Sequence, residues 1–222
     1  MSWLISSSIG RKLMMSISGL FLILFLIFHM SMNLVMVFSM EAYDMICEFL
    51  GANWYAIVGT LVLAAGFIVH IIYATVLTLQ NRKARGGNHY AVANKTSAEW
   101  SSKNMYVLGL AVFLFLCLHM YQFWFQMQFK ELLHIEGAVV QGSAIVVPLF
   151  QQPLFVAIYL LAFAALWFHL THGFWSALHT VGWNNTVWIG RLKTLSYIVA
   201  TLIFIGFAII PIYIYFCYSA VA

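Results

Sequence analysis

The sequence predicts an all-α integral membrane bundle of five transmembrane helices, from its composition and the lengths of its apolar stretches. Of the 222 residues, 64% are hydrophobic and only 7% are charged, whereas a soluble protein has about a quarter of its residues charged. A helix needs roughly 20 apolar residues to cross the hydrocarbon of a bilayer. Five stretches reach that length, and they predict spans at about residues 13–38, 56–79, 106–129, 154–178 and 195–218 of a single domain, residues 1–222.

The first stretch follows Arg11 and Lys12, as the apolar part of a signal peptide would. It is longer than such a segment, however, and has no small-residue cleavage site, so we expect it to be retained as the first span. None of the five stretches contains Asp, Glu, Lys or Arg before its final turn. This is the pattern of helices that lie in lipid.

Positive charge predicts the orientation, because Lys and Arg next to a span stay on the cytoplasmic side. Nine of the ten basic residues fall on one side, which we call the basic end: Arg11, Lys12, Arg82, Lys83, Arg85, Lys95, Lys103, Arg191 and Lys193. The other side, the acidic end, carries five of the six acids: Glu41, Asp44, Glu48, Glu131 and Glu136. We therefore expect a multi-pass protein of the cell inner (cytoplasmic) membrane with the N-terminus inside and the C-terminus outside. This placement accounts for the net charge of +4 without a nucleic-acid partner.

Two connecting segments are long enough to do more than join helices. Residues 81–103 at the basic end are basic and polar, and Gly86-Gly87 interrupts any helix there. This segment could bind a soluble partner or simply contact anionic lipid. Residues 130–152 at the acidic end could cover the mouth of a ligand site. His89 and His134 lie in these segments, and we assign them no role.

Candidate ligands come from the other histidines. Four of the eight lie inside spans, one in each of the first four: His29, His70, His119 and His169. An ionisable side chain at membrane depth is costly, so it usually faces the interior of a bundle and serves a function. A single such histidine is often only a hydrogen-bonding contact between helices. One in each of four spans indicates a shared purpose.

The depths of these four histidines group them in two pairs. His29 and His119 each lie nine residues before the acidic end of their span, and we call them the outer pair. His70 and His169 each lie sixteen residues in from the acidic end of theirs, and we call them the inner pair. With about 1.5 Å of rise per residue, the two pairs lie about 10 Å apart along the membrane normal.

Two histidines of different helices at one depth can hold a haem iron from both faces, in a dry pocket that the bundle supplies. The sequence therefore predicts two b haems, and imidazole at both axial positions favours one-electron transfer over oxygen binding. Each ligand needs a partner for its second ring nitrogen, most simply the carbonyl oxygen four residues back. Small residues near the expected haems could admit a macrocycle or serve ordinary helix packing: Ser18, Gly19, Gly59, Gly66 and Ala165.

Two further histidines in span 4 leave alternatives open. His172 follows His169 by three residues, so it could replace His169 as a ligand, or hydrogen-bond a haem propionate or a quinone. His179 lies near the basic end with Arg191 and Lys193. There it could bind propionates or simply be solvated at the interface.

Other metal chemistry has less support. The three cysteines, Cys47, Cys117 and Cys217, form no CxxC or CxxCH motif, which speaks against zinc, thioredoxin-like chemistry and covalently attached haem. A copper site would use His29-Met30 or His119-Met120. Adjacent residues of a helix point about 100° apart, however, and make a poor chelate.

These residues resemble the cytochrome b membrane subunit of succinate dehydrogenase and fumarate reductase, in its single-chain form with five helices and two haems. The resemblance is carried by Ser16-Ile17-Ser18-Gly19, then His29 with Asn33 beyond it, His70, His119, and Phe168-His169-Leu170-Thr171-His172-Gly173-Phe174-Trp175 leading to Gly182-Trp183. In that family the histidine four residues before the glycine is the ligand, which favours His169 over His172. Further haem contacts would be Ser16, Ser18, His172 and His179.

The resemblance implies a membrane anchor for a flavoprotein subunit and an iron–sulfur subunit on the cytoplasmic face. The flavoprotein would oxidise succinate or reduce fumarate, and this chain would carry electrons to or from a membrane quinone such as menaquinone. The inner pair would hold the haem nearer the iron–sulfur subunit. The quinone would bind near the outer haem, with Glu48, Glu136 and Gln151 as candidate contacts, and whole complexes could form dimers or trimers.

Two other functions stay open from the sequence. The chain could be the cytochrome b subunit of a hydrogenase or formate dehydrogenase, in which the soluble partner differs, or a transporter that uses histidines to move protons or metal ions.

The sequence departs from the family pattern at one place. Some fumarate reductases of this type carry a membrane glutamate shortly before the last ligand, and here those positions are Leu166, Trp167 and Phe168.

Overall fold

The structure is a computed structural model that describes residues 7–85, 100–183 and 185–218. Within these ranges the regular structure is helical, and five helices are long and apolar enough to cross a membrane. We number them spans 1 to 5: Ser8–Phe38, Trp54–Arg85, Met105–Leu132, Pro153–Thr180 and Thr186–Tyr218. The predicted all-α class with five spans is confirmed, and the orientation of the termini stays a prediction.

The helices extend beyond the predicted spans at the basic end. Span 1 begins at Ser8 rather than residue 13, span 2 continues to Arg85 rather than 79, and span 5 begins at Thr186 rather than 195. Ser7 caps span 1, since its hydroxyl accepts a hydrogen bond from the Gly10 amide (2.9 Å). Hydropathy marks only the part of a helix that lies in lipid, whereas Lys and Arg are good helix formers that let it continue into water.

Short helices fill much of the acidic end. Met40–Phe49 follows span 1, and Ser143–Phe150 lies within the segment 130–152. The two helices are joined because the Asp44 carboxylate accepts hydrogen bonds from the amide (2.8 Å) and the hydroxyl (2.5 Å) of Ser143. The segment is therefore partly helical and packed against its neighbour.

At the basic end, the short helix Trp100–Lys103 leads into span 3. The Arg82 guanidinium lies over the Tyr106 ring, 5.8 Å from its centroid. This contact joins the end of span 2 to the start of span 3. Most of the segment predicted to bind a partner or lipid, residues 86–99, lies outside the described residues.

The first four spans form a ring of helices. Span 1 packs against spans 2 and 4, span 4 also packs against span 3, and spans 2 and 3 meet along only a short stretch. Spans 1 and 3 therefore face each other across one diagonal of the ring, and spans 2 and 4 across the other. Span 5 lies outside the ring, against spans 1 and 4.

The core lies between spans 1, 4 and 5. Span 5 buries one face, on which every third or fourth residue is inaccessible: Leu192, Ser196, Ala200, Ile203, Phe207, Ile210 and Ile214. In its most apolar stretch of 18 residues, 44% are buried, against 0% in the corresponding stretch of span 2. Span 2 is thus the most lightly packed of the five.

Candidate cofactor site

The four predicted ligand histidines meet in pairs inside the ring of spans. The imidazoles of His29 and His119 have centroids 5.8 Å apart and an interplanar angle of 81°. Those of His70 and His169 have centroids 6.4 Å apart and an angle of 68°. Each pair joins two spans that face each other across a diagonal. The rings that lie together are therefore the ones that the sequence places at equal depth.

The spacing within each pair suits a shared metal ion. A bond between a metal ion and an imidazole nitrogen is about 2 Å long, so two imidazoles on opposite sides of one ion have centroids roughly 6 Å apart. The observed 5.8 and 6.4 Å lie on either side of that value. Two axial imidazoles are also the ligand set of a six-coordinate haem iron in electron-transfer cytochromes.

The outer pair lies in an aromatic shell. Four phenylalanine rings have centroids 4.9 to 5.8 Å from its imidazoles: Phe25 and Phe207 beside His29, and Phe115 and Phe123 beside His119. Phe25 and Phe115 stack on their partners, with interplanar angles of 15° and 29°. An apolar shell of this kind limits the access of water to a metal ligand.

Glycines face the inner pair instead. A Cβ atom added to Gly19 on span 1 would lie 3.3 Å from His70 Cε1, and one added to Gly109 on span 3 would lie 3.4 Å from His169 Cε1. Each glycine comes ten residues before the outer ligand of its own span. The helices that carry the outer pair therefore pass close to the inner imidazoles at these two glycines. Sequence reasoning named Gly19 and missed Gly109, although its spacing was the available signal.

The other small residues behave differently. A Cβ added to Gly66 would lie 2.6 Å from the Phe21 ring, which is close packing between spans 2 and 1. A Cβ added to Gly59 would meet nothing within 4 Å. Gly66 thus serves the ordinary helix packing that was the alternative for these positions.

Side chains from other spans face the second ring nitrogen of two ligands. Ser18 Oγ lies 3.4 Å from His70 Nδ1 and donates its own proton to the Met15 carbonyl oxygen (3.0 Å). Tyr159 Oη lies 3.4 Å from His119 Nδ1. Either oxygen can accept a hydrogen bond from Nδ1–H, which leaves the Nε2 lone pair for a metal. From the sequence we expected a different partner for this nitrogen, the carbonyl oxygen four residues back in the same helix.

The remaining two ligands have different surroundings. Asn33 Nδ2 donates to the His29 carbonyl oxygen (2.7 Å) and lies 3.4 Å from His29 Nδ1. His169 Nδ1 is buried and has no hydrogen-bond partner among the described residues. Buried polar atoms without a hydrogen-bond partner are uncommon, and those that occur often belong to residues with a functional role.

The additional predicted haem contacts lie toward the basic end. Ser16 is buried on span 1. His172 and His179 flank Trp175, with ring centroids 5.1 and 6.4 Å from it, and the Lys193 ammonium lies 4.9 Å from the same ring. His172 thus packs against this aromatic cluster, while the histidine three residues earlier supplies the ring of the inner pair.

Span 3 contains a feature that sequence reasoning missed. Directly after His119 the helix changes to π geometry, over Met120–Phe129. Gln128 near its end accepts hydrogen bonds from Thr60 and from Trp124 (both 2.7 Å) and donates one to the Gly51 carbonyl oxygen (3.2 Å). Long π-helical stretches are rare and frequently occur at functional sites. No local residue pattern marks this one.

The predicted quinone contacts at the acidic end have different surroundings. Glu48 and Glu136 are exposed. Gln151 donates a hydrogen bond to the Tyr218 carbonyl oxygen (3.2 Å), so its amide holds the end of span 5.

A cavity lies toward the basic end of the bundle. It has a volume of about 210 Å³ and is lined largely by aromatic side chains: Trp100, Ser101, Trp167, Phe168, Thr171 and Tyr197. The Trp100 and Phe168 rings meet edge to face, with centroids 5.2 Å apart. Such walls suit a flat ring with few polar groups.

The centroid spacing within each pair is compatible with two imidazoles that hold one haem iron. At the inner pair, the unpartnered Nδ1 of His169 is a second feature of a functional site. Comparison of the chain with protein-family models, with curated proteins and with solved structures finds no match. Function is accordingly argued from this geometry and from the motif resemblance.

Proposed function

We propose that the chain is the membrane anchor and electron-transfer subunit of a succinate:quinone oxidoreductase, with two b haems. The observation that carries the proposal is the pairing of four span histidines across the two diagonals of the ring, at 5.8 and 6.4 Å between centroids. A single histidine contact between helices is common in membranes. Two such pairs, at two depths, are what two bis-imidazole haems require.

The residues have distinct tasks under this proposal. His29 and His119 hold the outer iron, and His70 and His169 hold the inner iron. Haem held by two imidazoles in this way would supply one-electron transfer. The phenylalanines around the outer pair would exclude water, and the glycines let spans 1 and 3 approach the inner pair closely.

The partners follow from the resemblance. An iron–sulfur subunit and a flavoprotein would bind at the basic end, on the cytoplasmic face, and the dicarboxylate chemistry would take place on the flavoprotein. A membrane quinone, with menaquinone as our expectation, would exchange electrons with the haems. Cation–aromatic contacts at the basic end, Arg82 with Tyr106 and Arg191 with Trp188, give the anchor an ordered cationic surface on that side.

An absorption spectrum of the purified chain tests the central claim. We expect a Soret band and, from the pyridine haemochrome, two b haems per chain. A spectrum without a Soret band would refute the proposal and favour a histidine-using transporter. Copurification of a flavin-bearing subunit with succinate dehydrogenase activity would separate it from the cytochrome b of a hydrogenase or formate dehydrogenase, whose soluble partners differ.

A further inference from the structure

Tyr159 is a buried polar residue at the level of the outer pair. It lies on span 4 and is 2% exposed. Its ring packs among Phe115, Phe150 and Phe163, with centroids 4.8 to 5.9 Å away. A phenol placed at this depth needs a partner for its hydroxyl group. The partners it has lie on span 3, near the outer ligand.

The hydroxyl group makes two polar contacts. It donates a hydrogen bond to Gln122 Oε1 at 2.6 Å, and its oxygen lies 3.4 Å from His119 Nδ1. An amide oxygen can only accept, so the phenol proton points to Gln122. Toward His119 the Tyr159 oxygen can then act only as an acceptor.

The direction of the Tyr159 hydrogen bond fixes the tautomer of the His119 imidazole. If Tyr159 accepts from His119, the proton of the neutral imidazole is on Nδ1, and the Nε2 lone pair is available to a metal. Donation from Nδ1–H also raises the basicity of the imidazole as a ligand. The donation from Tyr159 to Gln122 strengthens this effect, because chains of hydrogen bonds polarise one another.

The inner pair has a comparable contact on another span, where Ser18 Oγ lies 3.4 Å from His70 Nδ1. On span 4 itself, His169 Nδ1 is buried without a hydrogen-bond partner among the described residues. Tyr159 thus acts on a histidine of the outer pair. A more basic ligand favours ferric over ferrous iron and lowers the reduction potential.

We infer that Tyr159, held by Gln122, is a positioning residue for His119 that lowers the reduction potential of the outer haem. The inference rests on the proposed function, since it presupposes haem at the outer pair. It assigns a role to two residues, Tyr159 and Gln122, that no motif in the sequence marks.

The test is a redox titration of the purified holoprotein, followed at the absorption band of reduced b haem. Tyr159→Phe removes the hydroxyl group and keeps the packed ring. We expect it to retain two haems and to raise the midpoint potential of one, with the other unchanged. The component that moves is identified with His29→Leu, which should retain only the inner haem. The electron paramagnetic resonance signal of the same ferric haem should shift as well.

Two further variants separate this role from packing. Tyr121→Phe removes an exposed phenol hydroxyl from span 3, next to the outer level, and should move neither potential. Gln122→Leu keeps Tyr159 but removes its acceptor, so the same haem should shift in the same direction by less. Gln122→Leu also keeps the inference testable if Tyr159→Phe does not fold.

The outcomes are distinguishable. Unchanged potentials in Tyr159→Phe with both haems present would overturn the inference and leave the proposed function intact. An equal shift of both haems would also overturn it, since the contact reaches His119 and not the inner pair. Absence of haem from the wild-type chain would instead remove the proposed function.

Discussion

At the scale of single residues, the neighbouring histidines of span 4 have separate surroundings. The His169 ring faces His70 at 6.4 Å between centroids, whereas His172 packs against Trp175 at 5.1 Å. Under the proposed function, we expect His169→Leu to lose one of two haems, because only His70 would remain to hold that iron. His172→Leu should keep both. The haem content per chain is measured from the pyridine haemochrome. Two haems in His169→Leu with one in His172→Leu would reverse the assignment.

Spans 1 and 3 can approach the inner imidazoles closely because glycine, which has no side chain, stands at the points of contact. A Cβ added to Gly109 would lie in ordinary contact with His169 Cε1, at 3.4 Å, so Gly109→Ala should keep both haems. Gly109→Leu should lose the inner haem, because overpacking at about 1–3 kcal/mol would displace the imidazole. The measurement is again the haem count.

Gly190→Leu is the control for this prediction, because Gly190 lies on span 5, which carries none of the four paired histidines. A Cβ at Gly190 would meet nothing within 4 Å, so both haems should remain. If Gly190→Leu and Gly109→Leu lose the same haem, the contact with His169 is not the cause. A general effect of leucine in the spans would then explain the loss.

The pairing of the four histidines could be predicted from the sequence for a physical reason. Helix rise is constant, so residue counts from the span ends give depth, and equal depth groups the four histidines. Tyr159 was not predicted, because its contact with His119 depends on how spans 3 and 4 are rotated about their axes. Hydropathy does not define that rotation where most faces of a helix are apolar. The sequence signal for Gly109 is that it precedes His119 by ten residues, as Gly19 precedes His29.

At the scale of elements, span 5 is held against span 1 by close contact at Gly206. A Cβ there would collide with Met30 Sδ and would lie 2.7 Å from Met30 Cγ and 3.4 Å from Leu34 Cδ1. We expect Gly206→Val to destabilise the protein by about 1–3 kcal/mol through overpacking. The change is measured as a lower thermal midpoint of the detergent-solubilised protein, followed by tryptophan fluorescence.

Gly190 supplies the control on the same helix. A Cβ at Gly190 would meet nothing within 4 Å, so Gly190→Val should change stability by no more than about 0.5 kcal/mol. Equal losses of thermal midpoint in the two variants would mean that valine in this helix, and not the contact with Met30, is responsible.

Hydropathy predicts that a span exists, but it does not predict whether the helix within that span has α or π geometry. Seven of the ten residues in the π-helical stretch Met120–Phe129 are apolar, which predicts a span but not its π geometry. Its hydrogen-bond pattern is less favourable locally, and it coincides with tertiary contacts of Gln128 with Thr60 and Gly51. Contacts between residues so far apart in the chain are not visible in a local pattern. The same is true of the bond between Asp44 and Ser143.

At the scale of the whole molecule, packing is uneven around the ring. Span 5 supplies a dense core against spans 1 and 4, whereas span 2 has no buried residue in its most apolar stretch and packs mainly on span 1. Under the proposed function, His70 and His169 would also join span 2 to span 4 through the inner iron. The cofactor would thus tie the lightly packed span 2 to the opposite side of the ring.

Membrane orientation is a property of the whole chain, and the free cysteines can measure it. Cys217 is exposed in the last turn of span 5, at the acidic end. If the basic end is cytoplasmic, a membrane-impermeant maleimide added to intact spheroplasts should label Cys217 in a variant with no other cysteine. Inverted membrane vesicles should not be labelled until they are permeabilised.

The other two cysteines provide internal controls for this experiment. Cys117 lies within span 3, so a reagent that reacts with thiolate in water should label it from neither side. Cys47 lies at the acidic end, beside Tyr43, and burial raises the pKa of its thiol. Because a raised pKa lowers the thiolate fraction at neutral pH, Cys47 should react slowly at pH 7 and faster as the pH rises. Labelling of Cys217 only from the inside of the cell would reverse the predicted topology and place the acidic end in the cytoplasm.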